Sequence, residues 1–230
     1  MAERQRDYDT TWLVIPLYNE GPVITEVIEG ALKSFPNVVC VDDGSTDNSA
    51  DLAEQAGAQV VRHAFNLGQG AALQTGIEFA ASQPGMEYLV TFDADGQHQV
   101  EDAMAMVDQA RAEDLAIIFG SRFLGEDSPV GWSKRAVLKT AAAVTRWKTG
   151  LGLTDAHNGL RLLRKDAAEL VDLRQDRMAH ASEIVAQLAA TNLPWAERAV
   201  TIDYTEYSKA KGQSLLNSVN ILVDLVMGKS

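Results

Sequence analysis

Two carboxylates separated by one small residue, Asp93-Ala94-Asp95, close the apolar run Tyr88-Leu89-Val90-Thr91-Phe92 and precede Gly96-Gln97-His98. An apolar, β-branched run ending in Asp and Gly reads as a buried strand that emerges at a sheet edge. Side chains at i and i+2 of an extended segment point the same way. Asp93 and Asp95 can therefore face one cation, with Gly96 letting the chain turn away sharply. Hard oxygen donors suit Mg2+ or Mn2+, which take one or two carboxylates and complete their shell with water and substrate phosphate oxygens. Taken alone, an Asp-x-Asp reads more readily as a strand-end turn, because Asp and Gly favour turns. The rest of the chain separates these readings.

Short apolar runs at 12–16, 37–42, 58–63, 87–93 and 115–120 alternate with segments of helical spacing that begin near Glu20, Thr46, Gly68 and Val100. This is the pattern of βαβ units on a mostly parallel sheet flanked by helices. Ligands of such sheets bind outside the carboxyl ends of the strands. The first run leads into Pro16-Leu17-Tyr18-Asn19-Glu20, the second into Asp42-Asp43-Gly44-Ser45-Thr46-Asp47, and the fourth into the Asp93/Asp95 pair. Three acidic clusters at one rim are costly without a cation, which favours a metal site over a plain turn. Ser45 or Thr46 can also cap the next helix, and Asp47 suits its N-terminal dipole.

At 230 residues the chain is long enough for a full core in one domain. Its 46% hydrophobic and 23% charged content is ordinary for a soluble globular protein. A net charge of -12 argues against general binding of nucleic acid, which calls for a basic face. Cys40, the only cysteine, sits in an apolar run, excludes an intrachain disulfide and suits a reducing cytoplasm. Residues 1–10 are polar and lack the apolar centre of a signal peptide. The four histidines are scattered, without zinc spacing.

Between Asp127 and Asp155 the charges are all positive: Lys134, Arg135, Lys139, Arg146 and Lys148. Arg135, Lys139 and Arg146 fall within about 40° on a helical projection, with Trp132 and Trp147 nearby. Such a helix suits a membrane surface or phosphate, or is a solvated charged face. The stretch 213–227 is apolar around most of its circumference. It must pack on its own chain, on a second copy, on a membrane protein or at a lipid interface.

The ordered set Val14-Ile15-Pro16-Leu17-Tyr18-Asn19-Glu20, Val41-Asp42-Asp43-Gly44-Ser45, Asn66-Leu67-Gly68-Gln69-Gly70 and Asp93-Ala94-Asp95-Gly96-Gln97-His98 closely resembles the family-2 inverting glycosyltransferases. The likeness continues through Gly120-Ser121-Arg122-Phe123, Asp155-Ala156-His157-Asn158-Gly159-Leu160-Arg161 and Lys209-Ala210-Lys211-Gly212-Gln213-Ser214. It therefore covers nearly the whole chain, and within the family it is greatest for the polyprenyl-phosphate (dolichol-phosphate) mannosyl- and glucosyltransferases. The resemblance implies a GT-A-type nucleotide-sugar-binding fold, Rossmann-like, with a nucleotide-binding half over 10–122, an acceptor-side half over 123–212 and an apolar helix over 213–227.

It also implies roles. Asp42 accepts hydrogen bonds from the nucleotide base, with Pro16, Asn19 and Glu20 as the adjoining wall. Asp93 and Asp95 bind the metal, and Gln97 can reach it. Arg122, Arg161 and Lys211 lie near donor or acceptor phosphates, where a fork of donors suits phosphate oxygens. Glu183 lies near the donor sugar, or is simply polar on a helix over 179–190.

The acceptor decides whether a base is needed. A saccharide hydroxyl of a cell-envelope glycan must lose a proton, making Asp155 the candidate base. A polyprenyl phosphate is already ionised, and Asp155 would then orient Arg161 or the acceptor. Many relatives of the lipid-phosphate branch carry C-terminal membrane spans. None of the roughly 20 continuous apolar residues of a span occurs here, so attachment at the inner face of the cytoplasmic membrane would be peripheral. A sugar-1-phosphate nucleotidyltransferase would carry a glycine-rich loop after the first strand, and Pro16 to Glu20 is not one. A Rossmann dehydrogenase is disfavoured because Leu73 stands where the third glycine belongs. The intact acid pair argues against a non-catalytic nucleotide-sugar-binding module. Base and sugar, GDP-mannose or UDP-glucose, stay open.

Overall fold

The computed structural model describes residues 8–124, 151–175 and 179–203. Seven strands, β1 Thr11–Leu17, β2 Asn37–Asp42, β3 Gln59–Arg62, β4 Tyr88–Thr91, β5 Ile117–Ser121, β6 Arg161–Arg164 and β7 Trp195–Ala199, form one sheet in the order β3-β2-β1-β4-β6-β5-β7. The helices are α1 Ile24–Leu32, α2 Ser49–Gln55, α3 Gln69–Ala81, α4 Val100–Glu113, α5 Lys165–Ala168 and α6 His180–Ala190. β6 alone runs antiparallel, to both β4 and β5; the other pairs are parallel.

β1 reads TWLVIPL and is almost wholly buried, as a central strand covered on both faces must be. Its alternate side chains serve two cores. Leu13, Ile15 and Leu17 join Ile24 and Ile28 of α1, Ala53 of α2 and Met106 and Val107 of α4. Trp12 and Val14 join Leu73 and Ile77 of α3, Ala167 of α5, and Ile184 and Val185 of α6. Each fully buried Leu or Ile contributes about 2 kcal/mol, so helices are held on both faces. α3 lies so close to β1 that a Cβ on Gly76 would come within 2.4 Å of Val14 Cγ1. Cys40 is buried in β2, and burial followed by the charge of Asp42 pushes its thiol up to about 12.

The sheet grows from β1 outward through β2 to β3, and in the other direction to β4. The boundary between β1 and β4 is therefore a topological switch point, where a crevice opens at the carboxyl ends of the strands. The expected strands at 12–16 and 37–42 match β1 and β2 closely. The one expected at 87–93 stops at Thr91, so Asp93 and Asp95 stand in the turn beyond β4 rather than on an extended edge. α2 is only seven residues long. β6 and β7 were not expected from the pattern. The basic stretch 134–148, Lys211 and the apolar stretch 213–227 lie outside the described residues. Among those described, no helix is long and apolar enough to cross a membrane.

Candidate active site

A cleft of about 490 Å3 occupies the switch point. One wall follows β1, through Pro16, Tyr18 and Glu20, and its floor follows β4, through Asp93 and Asp95. Asp43 and the start of α3 close one side, while His157, Arg161 and His180 close the other.

The acid pair is held by short contacts. Asp93 Oδ2 accepts a hydrogen bond from His98 Nε2 at 2.9 Å, and its Oδ1 has no hydrogen-bond partner among the described residues. Gly159 packs against the same carboxylate so closely that a Cβ there would lie 2.6 Å from Oδ2. Gly159 is fixed in turn by Thr91 Oγ1, which donates to its carbonyl at 2.5 Å. Gln97 N–H donates to Asp95 Oδ1 at 3.1 Å. Burial alone would raise Asp93, but the charge and hydrogen bond of His98, with Arg161 and His180, bring its carboxyl below the usual range. Burial and then the neighbouring Asp93 push Asp95 up to about 6. Two adjacent acids of which one resists ionisation form a hard-oxygen donor set, and Mg2+ or Mn2+ fits that chemistry. Among the described residues no group of three or more His, Cys, Asp or Glu could hold a metal. Gln97 is buried and does not line the cleft.

The register of the antiparallel strand delivers the opposing charge. Arg161 pairs with Thr91 across β6 and β4, which brings a guanidinium beside the acid turn. Arg161 is 2% exposed, and its hydrogen bond is to the Ala156 carbonyl at 3.4 Å. It has no carboxylate within ion-pair distance among the described residues. Burial lowers it to about 10, against the charges of Asp93 and Asp155. His157 beside it is held neutral: burial, then Arg161, lowers it to about 4.

Other expected residues are placed differently. Pro16 and Glu20 line the cleft, whereas Asn19 does not. Asn19 joins the loops after β1 and β2: its Oδ1 accepts from Thr46 N at 2.9 Å, and its N–H donates to Ser45 Oγ at 3.0 Å. Asp42 is buried, accepts from Ser45 N at 3.3 Å, and is likewise absent from the lining. Its neighbour Asp43 lines the cleft, but its oxygens accept from His63 Nδ1, Leu67 N and Gly68 N, each at 2.8 Å. Asp47 fastens Gly21 N and Ser49 N, at 3.2 and 2.9 Å. The rim therefore gathers Glu20, Asp43, Asp93 and Asp95 rather than every acid of the three clusters.

Asp155 makes no hydrogen bond to Arg161 among the described residues; its partner is Arg122. Its Oδ2 accepts from Arg122 Nε at 2.6 Å and Arg122 N at 3.1 Å, and its Oδ1 accepts from Arg122 Nη2 at 2.8 Å. Burial raises the Asp155 carboxyl, but this bidentate partner more than offsets it, leaving the group below the usual range. Both oxygens are engaged, an arrangement unlike that of a free general base. Glu183 is absent from the cleft's lining: it accepts from Arg174 N at 3.1 Å and Gln175 N at 2.9 Å, tying down the chain that crosses Gly70. Sequence reasoning assigned no role to His157, His180, Asp43 or Glu197. Glu197 Oε1 accepts from Thr154 N at 2.7 Å and Asp155 N at 3.3 Å, setting the loop that carries Asp155. His157 had a signal, its place inside the run 155–161; Glu197 had none.

A mostly parallel, helix-flanked sheet with an acid pair at its switch point is the architecture of the GT-A nucleotide-sugar enzymes. The chain is 15% identical to glucosyl-3-phosphoglycerate synthase from Mycobacterium tuberculosis, solved with Mn2+, uridine diphosphate and phosphoglyceric acid. The TM-score is 0.69, over 97% of this chain and 81% of that one. Residues 12–171 match Glycosyl transferase family 2, and the chain belongs to that family. It is 31% identical to polyprenol monophosphomannose synthase of Mycolicibacterium smegmatis, over 94% of this chain and 84% of the relative. It is 28% identical to the UDP-N-acetylglucosamine–dolichyl-phosphate N-acetylglucosaminyltransferase of Methanococcus voltae, over 95% of both.

Proposed function

We propose that this glycosyltransferase moves a hexose, with inversion, from GDP-mannose or UDP-glucose to a polyprenyl phosphate, using Mg2+ or Mn2+ at Asp93 and Asp95. The observation that carries the reading is the opposition, across one cleft, of an acid pair and a buried Arg161 without a carboxylate partner among the described residues. A buried guanidinium needs an anion; Arg161 would take a diphosphate's charge on one wall, and Asp93 and Asp95 would hold the ion on the other. The names of the two relatives, one for polyprenol and one for dolichyl phosphate, support the acceptor class.

In the reaction an oxygen of the lipid phosphate bonds to the anomeric carbon as the bond from that carbon to the β-phosphate oxygen breaks. The electron pair leaves with the nucleoside diphosphate. An ion held by Asp93 and Asp95 would supply Lewis-acid withdrawal of charge from that leaving group. Arg161 neutralises phosphate from the opposite wall, and neutral His157 offers a hydrogen bond without adding charge. A phosphate acceptor arrives ionised and needs no base, which agrees with Asp155 being engaged by Arg122. Arg122, fixed in that clamp, and Lys211 would meet the acceptor phosphate. The enzyme would work peripherally at the inner face of the cytoplasmic membrane, where such acceptors reside.

Incubation with GDP-mannose, UDP-glucose and other donors, Mn2+, and either a short-chain polyprenyl phosphate or saccharides tests this. Product masses of a hexosyl phosphoprenol are expected. Transfer to saccharides alone would overturn the lipid acceptor.

A further inference from the structure

His98 follows the acid pair by three residues, is 7% exposed and has no part in the chemistry above. We infer that His98 is a positioning residue that sets which oxygen of Asp93 meets the metal. The inference rests on the metal reading of the pair.

Three observations carry it. Nε2 of His98 lies 2.9 Å from Asp93 Oδ2, and an ionised carboxylate only accepts, so the hydrogen between them is on Nε2. Gly159 closes on the same carboxylate, and a Cβ there would stand 2.6 Å from Oδ2 and 2.9 Å from Oδ1. Asp93 is thus held by a donor and walled by backbone, leaving Oδ1 as the oxygen with no hydrogen-bond partner among the described residues. The imidazole is itself fixed. Its ring stands edge-on to Phe92, with centroids 5.5 Å apart. Its backbone bridges Ile202, and the flanking residues are tied to Asp203: Asp203 N donates to Gln97 O at 2.9 Å and Gln99 Nε2 donates to Asp203 Oδ2 at 2.6 Å. Nδ1 of His98 is buried without a hydrogen-bond partner among the described residues. Among the described residues, the only polar bond that orients the ring is therefore the one to Asp93. A buried donor aimed at a ligating carboxylate is the arrangement by which an outer residue fixes a metal ligand, and losing it typically costs about 10- to 100-fold in metal affinity.

Two variants separate positioning from bulk. His98→Phe keeps the ring against Phe92 and removes the donor. His98→Gln keeps a donor, because Gln Nε2 is as many bonds from its Cβ as His Nε2. Mn2+ binding is measured by electron paramagnetic resonance of the free ion, with UDP and with GDP present, alongside thermal melting. The expected result is a rise in the Mn2+ Kd of roughly 10-fold or more for His98→Phe and recovery of most of that loss in His98→Gln. In transfer assays His98→Phe is expected to need more Mn2+ for half-activation while approaching the wild-type kcat at saturation. Wild-type Mn2+ affinity in His98→Phe, or an equal loss in both variants, overturns the inference and leaves the metal reading intact. Absence of Mn2+ binding by the wild-type protein overturns both.

Discussion

Asp95 is half-buried and Asp155 buried, and their surroundings give the two carboxyls opposite signs in stability. Asp95 is raised to about 6 by burial and Asp93. In the metal-free protein its ionisation favours the unfolded chain, so stability present at pH 4 is lost as the pH rises through 6. Asp95→Asn removes that dependence: melting of the metal-free variant is expected to fall less between pH 4 and 7 than that of wild type. Asp155 is lowered by Arg122, so its contribution is present above the unfolded carboxylate range and disappears only in acid. Arg122→Ala strands a carboxylate that is 1% exposed. A stability loss of about 3 kcal/mol is expected in urea titration, since removing one partner of a buried pair leaves an uncompensated charge. A loss below 1 kcal/mol would show the clamp to be dispensable.

At the scale of elements, the helical packing and the chain that crosses it make separate claims. Gly76→Ala puts a Cβ 2.4 Å from Val14 Cγ1, where α3 crosses β1. Overpacking outweighs the gain in helix propensity there, and a net loss of about 1–2 kcal/mol is expected by urea denaturation. Glu183 is expected to act on the strap rather than on the sugar. Glu183→Ala should speed amide exchange at Arg174 and Gln175, whose N–H groups it holds, and change kcat by less than about 10-fold. A kcat loss above 100-fold would put its carboxylate on the donor.

The same scale shows what the sequence made legible. β1, β2 and β4 are continuous apolar runs with polar exits, and buried central strands must read that way; their exits marked the cleft. β6 is Arg-Leu-Leu-Arg and β7 is Trp-Ala-Glu-Arg-Ala. Neither short run shows a period, and their pairing is decided by partners distant in the chain. Asp42 and Asp43 adjoin, so types and spacing could not say which faces the cleft; the turn after β2 decides it. The partnership of Asp155 with Arg122 depends on a contact 33 residues apart, set by Glu197 and the fold.

For the whole molecule, an acidic chain of net charge -12 has a cleft with both signs across it. Phosphate and metal should therefore bind together rather than singly. Saturation with Mn2+ and the cognate nucleoside diphosphate at about 100 times Kd adds about 2.7 kcal/mol, a rise in Tm of roughly 5–10 °C for a chain of this size. Mn2+ alone or nucleotide alone should give clearly less, and the larger shift of UDP or GDP identifies the base.

The central claim is that the two acids of the β4 turn hold the ion on which sugar transfer depends. Its most direct measurement is the rate of hexosyl transfer to polyprenyl phosphate by Asp95→Asn at saturating Mn2+, with circular dichroism as the check on folding. A folded variant slowed at least about 100-fold, a loss of roughly 2.7 kcal/mol in transition-state stabilisation, is predicted. Undiminished transfer by that variant would contradict the account.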